Sequence, residues 1–301
     1  TALAKWFKGK ELSFAFGLNL TIARLGSVGA DWSPTWAKWA YTGWQGPLVV
    51  AAVIGLLVLG AALAYGALEG VASRRYRLGA AGETDKLVLS DLFVFSRSFW
   101  FVVALCVTFY SAIFPFRSFS IKFFMESWEF TREVAGQYNS ALPIAAMIAT
   151  PLFGLLVDKV GKRALFMALG SFLLMPVYVM MAYHLTPLWV PITMMGIAFS
   201  LIPAVMWPSV AYIVEERRLG TAYAVMTLIQ QVGVAGMNWI IGRTNDAFEA
   251  SAANPMGHAP GMWIFSVLGF LALLFAVLLR REETGPHAHG LETITTSTPT
   301  G

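Results

Sequence analysis

Charge is scarce in this chain. Only 13% of its 301 residues are Asp, Glu, Lys or Arg, about half the share of a soluble domain. Cysteine is nearly missing: the one residue, Cys106, falls inside an apolar run, which excludes a disulfide framework and a cysteine metal cluster. Histidine is thin as well. His184, His258, His287 and His289 are scattered over links and the tail, and the last two read as solvated rather than metal-binding. HExxH, GxSxG and CxxC do not occur, nor do paired carboxylates one turn apart within an apolar run. The stretch PLFGLLVDKVGKRALF (151–166) fails as a phosphate loop. Gly154 and Gly161 are seven positions apart, and Arg163 rather than a hydroxyl follows Lys162. These absences argue against an enzyme, and no cofactor or metal is expected.

What is present is apolar surface. Hydrophobic residues make up 57% of the chain and the mean hydropathy is +0.64, more than one globular core can bury. The formal charge of +4 is therefore no nucleic-acid signal. A hydrocarbon core about 30 Å thick is crossed by about 20 apolar residues in a helix. Eight such runs are predicted near 11–29, 47–68, 98–118, 136–157, 164–183, 188–214, 221–242 and 261–280. They are continuous, unlike the alternating strands of about 10 residues in membrane barrels, so the fold class is an all-α, polytopic membrane protein.

The links support that count. If Lys5, Lys8 and Lys10 are cytoplasmic, that side also holds Arg74, Arg75, Arg77, Lys86, Arg97, Lys159, Lys162, Arg163, Arg217, Arg218, Arg280 and Arg281. The opposite side holds Lys38, Lys122, Arg132 and Arg243, a bias of fifteen against four that follows the positive-inside rule with both termini cytoplasmic. The polar link over 71–97 separates residues 1–70 from 98–281, and 282–301 reads as a disordered tail rich in Thr, Pro and Gly. The sequon Asn19-Leu20-Thr21 falls mid-helix, where no glycan can be attached. The chain opens on Thr1 and a short polar stretch, as a fragment would.

Polar groups inside apolar runs are expensive and usually functional. Arg24 is the sharpest of them, because its planar fork suits a carboxylate. Arg117 follows Pro115 near the expected end of its helix, where snorkelling, gating and substrate contact all fit. Tyr110, Tyr138, Asn139, Gln230, Gln231 and Asn238 together suggest a polar cavity, although interhelical hydrogen bonding is the commoner role of any one amide. Trp207, between Pro203 and Pro208, fits a pocket wall or gate on a kinked helix.

GLLVDKVGKR, with Gly154, Asp158, Gly161, Lys162 and Arg163, resembles the loop signature of the major facilitator superfamily, whose twelve helices form two halves around a central site. WFKGKELSFAFGLNLTIARLGS (6–27), AIFPF (112–116), FFMESWEF (123–130) and WPSVAYIVEERRLGTAYAVM (207–226) resemble a lysosomal dipeptide-transporting branch of it and its bacterial relatives. The resemblance implies helices 5–12 of the fold, with the first four missing and no transport by these eight alone. It also implies facilitative transport of dipeptides or other small peptides, with Arg24 on the peptide carboxylate and Trp207 in the pocket wall. A carrier of small organic anions and a non-transporting receptor or scaffold are the alternatives. The signature is expected to act as a conformational latch: Gly154 admits a neighbouring helix, Asp158 faces a helix N-terminus, Gly161 makes the reversal, and Lys162 and Arg163 meet head groups. The implied surroundings are a lipid bilayer, in a bacterial inner membrane or a lysosomal one, with an accessory membrane glycoprotein as a partner in the latter.

Overall fold

The computed structural model describes residues 12–75, 94–286 and 288–294, excepting the side chains of 12–21, 73–75 and 216. Lys5, Lys8, Lys10, Arg77, Lys86, His287 and most of the 71–97 link lie outside the described residues. Among those described there is no strand, and the chain divides into two units, 1–84 and 85–301.

The first unit holds α1 (Leu12–Asp31) and α2 (Gln45–Arg75). A short turn of helix (Ser33–Trp36) and a 3₁₀ segment (Lys38–Thr42) join them. The Trp36 indole donates to the Gly29 carbonyl at 2.8 Å, and Ser33 and Tyr41 share a hydrogen bond across the joint. α2 is apolar all round, the pattern of a helix surrounded by other helices or by lipid rather than by water.

The second unit contains α3 (Arg97–Ser127), α4 (Arg132–Val160), α5 (Arg163–Leu174), α6 (Val177–Ala182), α7 (Trp189–Ile213), α8 (Leu219–Ala247) and α9 (Ala259–Glu283). α3 and α4 begin on hydroxyl caps, Ser96 accepting from the Phe99 amide and Thr131 from the Val134 amide. α3 lies at the centre, packed against α4, α8 and α9, while α7 packs on α4 and α5. Phe99, Phe109, Phe116, Phe123 and Phe124 of α3 are fully or nearly fully buried. α3 and α8 run parallel, since a Cβ at Gly233 would meet Val107 and Ser111, and one at Gly242 would meet Phe119.

Seven helices among the described residues are long and apolar enough to cross a membrane, counting α5 and α6 as one span, Arg163–Ala182. The remaining expected span coincides with α1, whose side chains are described only from Ile22 onward. Two differences from the sequence reading matter. α3 runs nine residues past its expected end at 118, so Arg117 sits ten residues, about 15 Å, before the helix terminus rather than at it. The span expected at 164–183 is broken at Met175–Pro176, where Pro176 has no N–H to continue the ladder.

Gly269 of α9 fits against that break, and a Cβ there would stand 3.1 Å from the Met175 Cα. Backbone cannot yield as a side-chain tip can, so Gly269→Val is expected to cost about 1–3 kcal/mol, read as an earlier thermal transition in detergent. Gly154→Ala should be neutral or mildly stabilising, because a Cβ there meets nothing within 4 Å and alanine is the better helix former. Equal transitions for the two variants would contradict this packing. Among the described residues nothing lies within 4 Å of a Cβ at Gly154, so the close approach of a neighbouring helix expected there is not seen within this unit.

Candidate functional site

Three helices of the second unit bring polar and aromatic groups together. Trp207 of α7 donates its indole N–H to the Tyr110 hydroxyl of α3 at 3.0 Å. The Tyr223 hydroxyl of α8 donates to the Trp207 carbonyl at 3.1 Å, with the two rings stacked at 6.0 Å. Pro203 and Pro208 interrupt the backbone ladder of α7 on either side of this tryptophan. Tyr110 stacks on Phe114 at 5.3 Å, and Phe114 meets Phe199 edge-on at 6.2 Å. One turn before Tyr110, the Cys106 thiol lies 3.7 Å from the Gln230 amide oxygen, and Gln230 is buried. Tyr223 and Gln230 are seven residues apart, hence on one face of α8, and that face meets α3. The sequence signal for Tyr223 was its place in the LGTAY stretch, but nothing marked its side chain as a partner of Trp207.

Arg117 is seven residues beyond Tyr110, so it occupies the same stripe of α3, half-buried, about 10 Å further along. Asn238 of α8 is half-buried and donates to the Val234 carbonyl of its own helix at 3.0 Å. Other members of the expected cavity set lie elsewhere. Gln231 is exposed. Asn139 is buried and accepts from the Ser120 hydroxyl at 2.8 Å, an α3–α4 tie. Tyr138 stacks on Phe130 at 5.2 Å and lies 6.2 Å from Phe124. Phe124 is fourteen residues beyond Tyr110, about 21 Å along the axis. Arg24 is half-exposed on α1, in the first unit. That unit has its own cavity of about 400 Å³, lined by Gly26, Gly29 and Ala30 of α1, Trp36 and Tyr41 of the joint, and Val50 of α2.

The signature turn joins α4 to α5. Gly161 has φ 72° and ψ −136°, a conformation that glycine adopts without Cβ strain, and Lys162 follows in the left-handed region at φ 51°. Arg163 is not at the head groups as expected. It is 2% exposed, donating to Asp158 at 3.0 Å, to the Tyr212 hydroxyl at 3.3 Å and to the Ile294 carbonyl at 2.7 Å. Its guanidinium also stands 4.5 Å from the centre of the Tyr212 ring. Asp158 thus pairs with Arg163, and the N-terminus of α5 is taken instead by Glu292, which accepts from the Ala164 and Leu165 amides at 2.8 and 3.3 Å. A carboxylate is favoured there by the helix dipole.

Glu292 belongs to the segment expected to be a disordered tail. Residues 288–294 instead fold back on the bundle, with Leu291 fully buried and its carbonyl accepting from the Arg163 amide at 3.0 Å. The Glu283 carboxylate at the end of α9 accepts from Ser98 of α3 at 2.6 Å and from the His289 amide and ring at 2.8 Å each. At this same end Arg217 donates to Glu215 at 2.7 Å, and that bond together with its charge holds the Glu215 carboxyl below its ordinary range. At the far end of α3 and α9, His258 and Glu126 are paired at 2.8 Å, with Lys122 3.9 Å from Glu126.

A profile of the Major Facilitator Superfamily matches residues 1–237 and 118–298. The zebrafish (Danio rerio) protein named lysosomal dipeptide transporter MFSD1 is 36% identical over 260 residues, 82% of this chain and 55% of its own length. Its chicken (Gallus gallus) counterpart is 35% identical over 246 residues, 78% of this chain and 55% of its own. The human protein of that name is 34% identical over 258 residues, again 82% and 55%. The chain spans about half the length of the curated relatives it matches. With the profile covering well over half of the residues, on a bundle of membrane-length helices without strands among the described residues, the chain belongs to the major facilitator superfamily.

Proposed function

We propose that the complete protein carries dipeptides or other small peptides across a membrane by alternating access, without coupling to a second solute. The observation that carries this reading is the identity of about one-third to proteins named as dipeptide transporters, spread over four-fifths of the chain. The Tyr110–Trp207–Tyr223 cluster supports it, since membrane-embedded hydroxyls and an indole flanked by prolines suit the wall of a polar pathway. Arg24 holds the peptide carboxylate in this reading, and Arg117, on the Tyr110 stripe, is the second cationic group available to an anionic end. Tyr138, Asn139, Gln230, Gln231 and Asn238 complete the proposed set, with Asn139 and Gln230 acting as structural ties. The signature turn is proposed as the latch of the conformational swing.

The sidedness follows from the basic residues of the second unit. Arg97, Lys159, Lys162, Arg163, Arg217, Arg218, Arg280 and Arg281 lie at the signature-turn end, and Lys122, Arg132 and Arg243 lie toward the other. We assign the turn end to the cytoplasm on that asymmetry. An accessory membrane glycoprotein is proposed as partner only for a lysosomal setting, and a bacterial inner membrane is the preferred location.

Reconstitution of the complete protein in liposomes tests the reading. Saturable uptake of radiolabelled dipeptides, independent of an imposed proton gradient and competed by other dipeptides, is expected. Uptake of dicarboxylates with no uptake of peptides would replace it by the organic-anion carrier. No flux of either would leave a receptor or scaffold.

A further inference from the structure

We propose that residues 288–294 are a releasable strap that clamps the signature turn from within the same unit and slows the conformational step of transport. The strap joins parts that the helices leave separate. Lys162 and Arg163 donate their amides to the carbonyls of Glu292 and Leu291 at 3.3 and 3.0 Å, so the strap adds main-chain bonds to the turn itself. The Glu292 carboxylate caps α5 and lies 3.7 Å from Arg280 of α9. The Ile294 carbonyl takes one arm of the buried Arg163, whose other partners are Asp158 of α4 and Tyr212 of α7. Its buckle is His289, tied by amide and ring to Glu283, which Ser98 of α3 also grips. One seven-residue segment therefore bridges, directly or through these side chains, the ends of α3, α4, α5, α7 and α9.

The same inventory explains why the strap can leave. One buried leucine and a handful of hydrogen bonds are set against the entropy of ordering seven residues, which places the docked and undocked forms close in free energy. Undocking strands little in the bundle. Glu283 keeps Ser98, Arg163 keeps Asp158 and Tyr212, and the first amides of α5 become open to water. A docked strap holds the turn rigid, and a turn that must rearrange in each cycle then waits for its release.

Hydrogen exchange on the purified chain reads docking directly. Deleting residues 286–301 is expected to raise exchange at the Lys162–Leu165 amides at least tenfold, while the core of α3, residues 102–113, stays protected. Leu291→Ser with Glu292→Gln in the intact chain should raise it about threefold or more, and decides the matter if the deletion fails to fold. In liposomes carrying the complete protein, releasing the strap should speed dipeptide uptake about two- to fivefold at unchanged half-saturation. Unchanged exchange at 162–165, or slower uptake by a well-folded released form, would overturn the strap. The rate effect rests on the transport reading above. If the unmodified protein moves no peptide, that reading fails, and exchange alone judges whether the segment clamps the turn.

Discussion

Replacing Arg24 by alanine in the complete protein should reduce dipeptide uptake by about thirtyfold or more, while Arg24→Lys retains a measurable fraction. A guanidinium grips a carboxylate through two parallel bonds, and losing one partner of a desolvated, hydrogen-bonded charge pair costs about 2–5 kcal/mol. At about 1.4 kcal/mol per factor of ten, that is between one and a half and three and a half orders of magnitude. Lysine keeps the charge but offers no fork, so its rescue is partial. The measurement is initial-rate uptake against substrate concentration, with thermal melting as the control for folding. Arg24 lies on α1, half-exposed among apolar neighbours such as Ile22 and Leu25. Uptake within about threefold of the unmodified protein would move the carboxylate site elsewhere, and Arg117, two turns beyond Tyr110, would be the first residue to examine.

Arg163→Ala should be strongly destabilising, costing about 2–4 kcal/mol of stability. The guanidinium is almost wholly enclosed, so its removal breaks three hydrogen bonds and the stacking on Tyr212, and leaves a void among α4, α5 and α7. Asp158→Ala should cost distinctly less, about 1 kcal/mol. Its side chain is 51% exposed, so water already screens the pair, and Arg163 keeps two of its partners. Arg163→Lys should behave like the alanine variant, because one ammonium cannot reach Asp158, Tyr212 and Ile294 together. Denaturation in detergent orders the three variants. An Asp158→Ala loss equal to that of Arg163→Ala would mean that the pair, not the enclosed arginine, organises the turn.

Much of this architecture could be read from residue order, and the failures have a common cause. Continuous apolar runs fixed where helices lie, since a membrane-length run has few alternatives. The reversal at Gly161 was visible because its geometry is local. Proline gave a mixed signal. Pro115, Pro143, Pro151, Pro203 and Pro208 all sit inside unbroken helices, and only Pro176 coincides with a break. Whether a proline bends or ends a helix depends on the packing around the freed carbonyl, and that packing is tertiary. The tail shows the same limit. Leu291 and Ile294 are isolated apolar residues amid Thr, Gly and Glu, and Leu291 is held through its main chain by bonds to Glu283 and to Arg163, the latter more than a hundred positions earlier. Within the site, Tyr110 and Trp207 each stood out as polar groups in apolar helices, but nothing in the residue order paired them; their hydrogen bond is a tertiary fact. Tyr138 and Asn139 were grouped with them by residue type alone, and helix length separates them.

The break at Met175–Pro176 gives the span 163–182 a joint, and its two arms answer to different neighbours. The lower arm, α5, begins at the signature turn and packs on α7 and α9. The upper arm, α6, is pinned by Tyr178, which is fully buried, donates to the Ala112 carbonyl of α3 at 2.8 Å, and packs against Phe116 and Phe265. A rigid rod would carry a tilt at the turn straight across the bilayer. A jointed one can absorb it at Met175, where the missing side chain of Gly269 keeps α9 from wedging against the backbone. A tilt imposed at the signature turn would then be taken up in the lower half of the bundle, with the aromatic upper half as the fixed frame against which it is measured.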